Sequence, residues 1–193
     1  MARVPIYDLT SAPEGSRSAL ERQTTRVGRT LNIFGAMANA PALIGMYDAV
    51  EMALGSESSL GEPARQAIHL TVAAVNDCEY CQAAYTGAAR ANGFTIEQTI
   101  EIRKGFVSGR DELTALLRVA REIAKHRGHV SQRVWDAAQS AGWGHRQILE
   151  VYAEVIRTLL TNYFNHMVDT DLDLSPAPPM EPSLTGQRTT GEL

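Results

Sequence analysis

The chain is poor in cysteine and has no long apolar run. Its only two cysteines are Cys78 and Cys81, too few for the disulfide framework of a small secreted scaffold. No stretch approaches the roughly 20 consecutive apolar residues that span a bilayer. Residues 1–16 contain two prolines and two acidic side chains where a signal peptide needs an apolar stretch. We therefore expect a cytoplasmic protein without a membrane partner.

Lysine is also scarce, since Lys104 and Lys125 are the only two and the arginines are spread along the chain. With a net charge of -4, the sequence has no concentrated positive surface for nucleic acid. A length of 193 residues suits one domain that is large enough to bury a full core. We therefore expect a single globular domain with no nucleic-acid partner.

Apolar residues recur at helical spacing, and no alternating pattern long enough for a sheet is present. We predict an all-α domain over 16–174, an extended lead-in over 1–15, and a flexible proline-rich tail over 175–193. Thr95 and Gln98 predict a capping box at the start of one helix. Further helices are predicted over 16–31, 42–54, 64–75, 82–92, 111–126, 131–141 and 147–167.

The segment Cys78-Glu79-Tyr80-Cys81 opens an alanine-rich helix. The peptide N–H groups at a helix start favour a thiolate and lower a cysteine pKa from about 8.5. Asp77 and Glu79 oppose this effect because they disfavour a second negative charge nearby. We expect a moderately activated thiol pair, and in a reducing cytosol such a pair is redox-active or binds a metal.

Two other interpretations of the cysteines involve no redox chemistry. The first is that both are free thiols buried in a helical core. A zinc site needs two further ligands, and His126, His129 and His145 lack paired ligand spacing. We expect no metal and no cofactor.

Three further side chains are candidates for the same site. Tyr85 follows Cys81 by four residues and shares a helix face with both cysteines. On the preceding helix, Gln66 and His69 lie three residues apart on one face. If the two helices pack as an antiparallel hairpin, both side chains approach the thiols.

The run from Arg65 to Thr86 resembles the AhpD-like alkylhydroperoxidase / carboxymuconolactone decarboxylase family. The family pattern is a glutamate, eleven residues, Cys-x-x-Cys, three residues and a histidine. Residues 162–173 are similar to the end of many peroxidase-related members, so that the likeness extends over about 30–174. It implies an all-helical fold that assembles as a homotrimer or homohexamer. It also implies cofactor-free reduction of hydroperoxides or disulfides, with electrons from a dithiol reductant protein or a lipoyl-type donor.

Carried onto this sequence, the resemblance implies that Cys81 attacks the peroxide and Cys78 resolves the product as a disulfide. Gln66 stands where the family has glutamate, and Tyr85 stands where it has histidine. A glutamine amide transfers no proton at neutral pH. Tyrosine has a pKa near 10 and histidine near 6.5, a difference of about 5 kcal/mol, so Tyr85 is a poor base that can still donate a hydrogen bond. His69 is the only nearby imidazole and a candidate replacement.

The altered relay leaves two alternatives to a peroxidase: an oligomer that binds a small ligand or senses redox state, or a lyase of the carboxymuconolactone decarboxylase kind. We interpret Tyr80 as a shield for the thiols or part of a substrate entrance. Asn162, Asn165 and His166 are interpreted as helix caps or links at a subunit contact. Trp135 and Trp143 are interpreted as core or interface anchors.

Overall fold

The computed structural model describes residues 1–180, which form nine helices and no strand. Within this part of the chain, no helix is long and apolar enough to cross a membrane. The all-α prediction is confirmed. The greater part of the predicted tail, residues 181–193, lies outside the described residues. The helices are α1 (Glu14–Val27), α2 (Asn32–Met37), α3 (Pro41–Glu57), α4 (Glu62–Val75), α5 (Glu79–Ala91), α6 (Ile96–Lys104), α7 (Asp111–Lys125), α8 (Gln132–Ser140) and α9 (His145–Val168).

The helix α4 forms the centre of the domain. Every side chain from Ala67 to Ala73 is buried, because α5, α6, α7 and α9 pack around this helix. A helix whose central part is mostly apolar on every side is stable only when it is covered in this way. Each buried leucine, isoleucine or valine contributes about 1.5–3 kcal/mol relative to an exposed one. This packing fixes the positions of α5 and α9, the two helices that carry most of the site described below.

The helices α7 and α9 each bury one apolar stripe. The predicted stripe of α7 is confirmed, since Leu113, Leu116 and Leu117 are almost inaccessible. In α9, Val151 and Val155 are buried, whereas the other side carries exposed apolar side chains. This exposed face of α9 comprises Leu149, Tyr152, Ile156, Tyr163 and Met167.

The predicted helix over 16–31 is too long. It ends at Val27 because Gly28 takes a left-handed conformation, with φ of 87°, and donates its N–H to the Thr24 carbonyl. The short helix α2 follows and was not predicted, since six residues show no clear periodicity. Its Gly35 carbonyl accepts a hydrogen bond from the Tyr7 N–H, which ties the lead-in to the domain.

Most of the predicted helix starts are confirmed. Pro41 begins α3, Ser131 caps α8, and Thr95 with Gln98 forms a complete capping box at α6. The cysteine helix begins at Glu79, three residues before the alanine-rich run that predicted it. Cys78 is therefore the residue that caps α5.

The turn from α4 to α5 is a Schellman motif. The Cys78 N–H donates to the Ala73 carbonyl over 3.0 Å, and the Asp77 N–H donates to the Ala74 carbonyl over 3.3 Å. Asp77 occupies the left-handed position of this motif, with φ of 53°, where glycine is the usual residue. The motif reverses the chain within three residues and places Cys78 at the start of α5.

We predict that Asp77→Gly is more stable than Asp77→Ala by about 0.5–1 kcal/mol. An alanine Cβ costs about 1–2 kcal/mol in a left-handed position, whereas the greater freedom of glycine in the unfolded chain offsets about 0.4–1 kcal/mol. Urea unfolding of the two variants measures the difference. The matched pair Asp111→Gly and Asp111→Ala, at the right-handed first residue of α7, is expected to show the reverse order. Equal stability of the two Asp77 variants would contradict the proposed strain.

Candidate functional site

The two cysteines are buried free thiols at the start of α5. Cys78 is 1% exposed and Cys81 is 2% exposed. The Cys78 sulfur accepts a hydrogen bond from the Cys81 backbone N–H over 3.4 Å, as a capping side chain does. The sequence prediction that both thiols stand at a helix start is confirmed.

The helix α9 supplies the polar groups that contact the sulfurs. The Asn165 side-chain N–H lies 3.2 Å from the Cys81 sulfur and 3.9 Å from the Cys78 sulfur. The Thr161 hydroxyl oxygen lies 3.9 Å from the Cys81 sulfur. The expected link between helices is made by Asn162, whose carbonyl oxygen accepts a hydrogen bond from Asn76 over 2.8 Å. Asn165, by contrast, is buried within the single chain and contacts both sulfurs.

These contacts separate the acidities of the two thiols. Burial opposes ionisation of Cys81, but hydrogen bonds from Cys78 and Asn165, with the polar side chains of Asn162 and Thr161 nearby, outweigh it and hold the pKa of Cys81 below its ordinary value. Hydrogen bonding to Cys81, and then burial, raises the pKa of Cys78. The first proton therefore leaves Cys81, and the Cys78 thiol remains protonated and donates to the Cys81 thiolate.

A cavity of about 620 Å³ opens beside the pair. Cys81 lines this cavity, whereas Cys78 does not. Tyr80, Tyr85 and Gln66 also line it, together with apolar side chains from α2 and α5. The geometry therefore gives the two thiols different positions, one facing the cavity and one behind it.

The chain that follows α9 closes one side of the cavity. The Tyr80 hydroxyl donates to the Asp173 carboxylate over 2.6 Å, and Arg29 pairs with the same carboxylate at 2.9 Å. Burial, and then Asp173, raises the pKa of Tyr80. Leu174, Ser175, Pro176 and Pro178 then form part of the cavity wall. The first residues of the predicted tail, up to 178, thus pack against the domain, and Tyr80 lies in the cavity wall.

Tyr85 is held by a buried arginine that the sequence did not point to. The Arg157 guanidinium donates to the Tyr85 hydroxyl oxygen over 2.5 Å and to the Tyr47 hydroxyl oxygen over 2.8 Å, and it pairs with Glu51. Burial raises the pKa of Tyr85 to about 12. Tyr85 is therefore neutral at physiological pH. Since its oxygen accepts from Arg157, its own proton is free to be donated.

His69 belongs to the same buried network but does not contact the sulfurs. Its Nε2 donates to the Glu154 carboxylate over 2.7 Å, and its Nδ1 lies 3.4 Å from Arg157. Burial, and then the charge of Arg157, lowers the pKa of His69, so the imidazole is neutral. Its ring centre lies 5.0 Å from that of Tyr85. His69 thus stands behind Tyr85, one side chain away from the cavity.

Gln66 lines the cavity but is turned partly towards its own helix. Its Nε2 donates to the Glu62 carboxylate over 2.5 Å. Its Oε1 is buried and has no hydrogen-bond partner within residues 1–180. Of the five predicted site residues, the structure places Cys81, Tyr85 and Gln66 at the cavity, with Cys78 and His69 behind its wall.

The sequence interpretation missed Arg157, Glu154 and Thr161, although α9 carried a usable signal for them. The apolar period of Ile148, Val151 and Val155 places residues 154, 157 and 161 on or beside the buried face. A charged side chain in such a register is almost always paired when it is buried.

No group of three or more His, Cys, Asp or Glu side chains within residues 1–180 is arranged to bind a metal ion.

We predict that Asn165→Leu raises the pKa of the Cys81 thiol. The variant removes a hydrogen bond to a charged sulfur, a contact of about 1.5–3 kcal/mol, while keeping a similar volume. We expect the alkylation rate by iodoacetamide at neutral pH to fall by about tenfold. A pH profile of the alkylation rate measures the shift in the Cys81 pKa. The control Asn92→Leu, at the far end of α5, is expected to retain the native profile, and an unchanged profile in Asn165→Leu would contradict the contact.

We also predict that the protein loses stability as the pH falls below about 6.5, the ordinary pKa of histidine. Because the pKa of His69 is lowered in the fold, the unfolded chain takes up a proton there that the folded chain does not. Glu154 adds a loss only at lower pH, since its own pKa is also lowered. Urea unfolding between pH 7.5 and 5.5 is expected to show a smaller loss for His69→Gln than for the native protein. The control His166→Gln, at an exposed position, is expected to lose as much stability as the native protein. If His69→Gln lost as much stability as the native protein, the loss could not come from His69.

Comparison with known proteins finds one family model that matches part of the chain. Residues 41–125 match the model of the carboxymuconolactone decarboxylase family. The search of curated proteins gives no match. The family model covers α3 to α7 and therefore includes Cys78, Cys81 and the side chains on α4 and α5 described above.

Solved structures match over nearly the whole chain. A peroxidase-related protein from Ralstonia eutropha JMP134, described as an alkylhydroperoxidase AhpD core, is 18% identical with a TM-score of 0.79, over 89% of this chain and 92% of that one. A peroxidase-related protein from Silicibacter sp. TM1040 is 18% identical with a TM-score of 0.71, over 90% and 89%. The debrominase Bmp8, in complex with 2,3,4-tribromopyrrole, is 13% identical with a TM-score of 0.76, over 89% and 91%. Residues 41–125 are thus similar to the carboxymuconolactone decarboxylase family, and the chain shares the AhpD-like fold of these structures.

Proposed function

We propose that the protein is a cofactor-free thiol oxidoreductase that reduces organic hydroperoxides, with Cys81 as the attacking residue and Cys78 as the resolving residue. One observation carries this proposal: of the two thiols, Cys81 is the one that lines the cavity and also the one whose pKa is lowered. The thiolate is the nucleophilic form of cysteine. The assignment agrees with the roles that the family resemblance implies.

The proposed cycle has three steps. The Cys81 thiolate attacks one peroxide oxygen, so that an S–O bond forms, the O–O bond breaks and an alkoxide leaves. The Cys78 thiol then attacks the Cys81 sulfenic acid, forming the disulfide, and its proton leaves with the hydroxide as water. A dithiol reductant protein or a lipoyl-type donor finally reduces the disulfide and becomes oxidised itself.

Tyr85 supports this cycle as a hydrogen-bond donor to the leaving alkoxide. It lies one helical turn after Cys81 and lines the same cavity. Arg157 fixes its oxygen, and a pKa of about 12 keeps it protonated. His69 and Glu154 take part as positioning residues, because their hydrogen bonds hold Arg157 and α9 rather than reaching the peroxide. A fixed neutral donor thus replaces the glutamate–histidine relay.

We expect Cys81→Ser to abolish the reaction with cumene hydroperoxide, because a serine hydroxyl is not ionised at neutral pH. Cys78→Ser is expected to react once and stop as a sulfenic acid, because no resolving thiol remains. Stopped-flow mixing of the reduced variants with the peroxide, followed by sulfenate trapping with dimedone and intact mass, measures both outcomes.

The native protein in the same experiment is expected to lose two hydrogens per chain, faster than free cysteine reacts. Trapped sulfenate at Cys78 in Cys81→Ser would reverse the assigned roles. A native rate equal to that of free cysteine would contradict peroxidase chemistry altogether.

A ligand-binding or redox-sensing role is the second candidate function. It is favoured by Gln66 and Tyr85, which replace the acid–base pair of the family, and by the burial of both thiols. A brominated pyrrole is an additional probe for this candidate, since Bmp8 shares the fold. Binding without any change of thiol oxidation state is the result that distinguishes it.

We also propose that the protein forms a homo-oligomer, a trimer or a hexamer, through the exposed face of α9. Its large apolar side chains are 44–62% exposed in the single chain. A group of exposed apolar side chains of this size more often marks a protein–protein contact surface than a surface that faces solvent.

A further inference from the structure

The cavity beside Cys81 is much larger than a small peroxide needs. Its volume of about 620 Å³ lies within the range of roughly 300–1,000 Å³ of sites for drug-sized ligands. A water molecule, by comparison, takes up about 30 Å³ in the liquid. Its lining combines aromatic and aliphatic side chains with three arginines, Arg26, Arg90 and Arg157. The volume and the aromatic part of the lining favour a substrate with a sizeable apolar body.

Aromatic side chains are concentrated in this wall. The chain contains only 4 phenylalanines, 2 tryptophans and 6 tyrosines. Four of these rings line the one cavity: Phe34, Tyr47, Tyr80 and Tyr85. They come from α2, α3 and α5, so sequence proximity does not explain the group. The Phe34 and Tyr47 ring centres are 5.6 Å apart in a tilted arrangement, the spacing at which aromatic rings attract one another.

The same wall contains polar atoms that no protein group satisfies. Gln66 Oε1 and Thr86 Oγ1 are both buried and have no hydrogen-bond partner within residues 1–180. Both residues line the cavity, and the Thr86 side chain is only 6% exposed. The free atom of Gln66 is an acceptor, because its amide N–H donates to Glu62. A buried acceptor without a partner is costly, so it favours a ligand that brings an O–H or N–H donor.

We propose that the substrate is an arylalkyl hydroperoxide, a compound in which an aromatic ring is bonded to the carbon that carries the O–O–H group. The ring lies among Phe34, Tyr47 and Tyr80, where an aromatic group gains more than an aliphatic group of the same size. The O–H group donates to Gln66 Oε1 or Thr86 Oγ1, and the O–O bond faces Cys81. This substrate class rests on the proposed peroxidase function, with the same attack by Cys81 and the same leaving alkoxide.

The first test compares cumene hydroperoxide with its ring-hydrogenated counterpart, 2-cyclohexyl-2-propyl hydroperoxide, which has similar bulk but no aromatic ring. Each second-order rate with the reduced protein is divided by the rate with free cysteine. We expect a preference of about two- to tenfold for the aromatic compound, and a preference close to one in Phe34→Leu. The control Phe106→Leu, outside the cavity wall, is expected to keep the native preference. A native preference of one would overturn the proposal.

The second test needs no peroxide chemistry. The alcohol 2-phenyl-2-propanol is expected to protect Cys81 from iodoacetamide at a lower concentration than 2-cyclohexyl-2-propanol. In Gln66→Met, the advantage of the aromatic alcohol over its methyl ether, which lacks the O–H donor, is expected to fall by about two- to tenfold. Equal protection by the aromatic and saturated alcohols would overturn the aromatic site.

The two tests separate the substrate class from the function. Protection by the aromatic alcohol without any oxidation by peroxide keeps the aromatic site and rejects the peroxidase. Rapid oxidation without an aromatic preference keeps the peroxidase and rejects the aromatic substrate. Since the protection assay uses the native protein, it also decides the matter if Phe34→Leu does not fold.

Discussion

The buried guanidinium of Arg157 is the contact on which the geometry of the site depends. It joins Glu51 of α3 and His69 of α4 to α9, and it holds the Tyr85 hydroxyl of α5. Glu154, one turn earlier on α9, binds His69 and Arg65. Two arginines and two glutamates thus balance their charges in the interior. Removal of one member of such a set costs about 3–5 kcal/mol, because its partner is then left unpaired.

This network explains how a thiol surrounded by protein can still ionise. Because the charges of α9 are tied to α3 and α4, the same helix presents Asn165 and Thr161 to the cysteine sulfurs. The hydrogen bond from Asn165 and the polar surroundings that Thr161 belongs to stabilise the Cys81 thiolate where burial alone would suppress it. The Cys78 thiol, held at the helix cap, remains protonated beside it. Activation thus comes from α9 as well as from the start of α5, which is why the acidic neighbours of the cysteines matter little.

The sequence was sufficient for the fold class, for most helix starts and for the thiol pair. Helix caps such as Thr95 and Ser131 bond to their own local backbone, so they can be predicted without the tertiary structure. The role of Asn165 was not readable, because it lies 84 residues after Cys81 and meets it only through the packing of α9. The short helix α2 was not predicted for a different reason, since tertiary burial rather than periodicity stabilises it.

The most direct test of the account is to find which cysteine reacts first. The reduced protein is treated near pH 7 with less than one equivalent of N-ethylmaleimide, and fragmentation mass spectrometry of the peptide that contains both cysteines locates the label. The account predicts that Cys81 carries nearly all of it, because this thiol ionises first and faces the cavity. Label on Cys78, or an equal division between the two, would contradict the assignment on which the proposed chemistry is built.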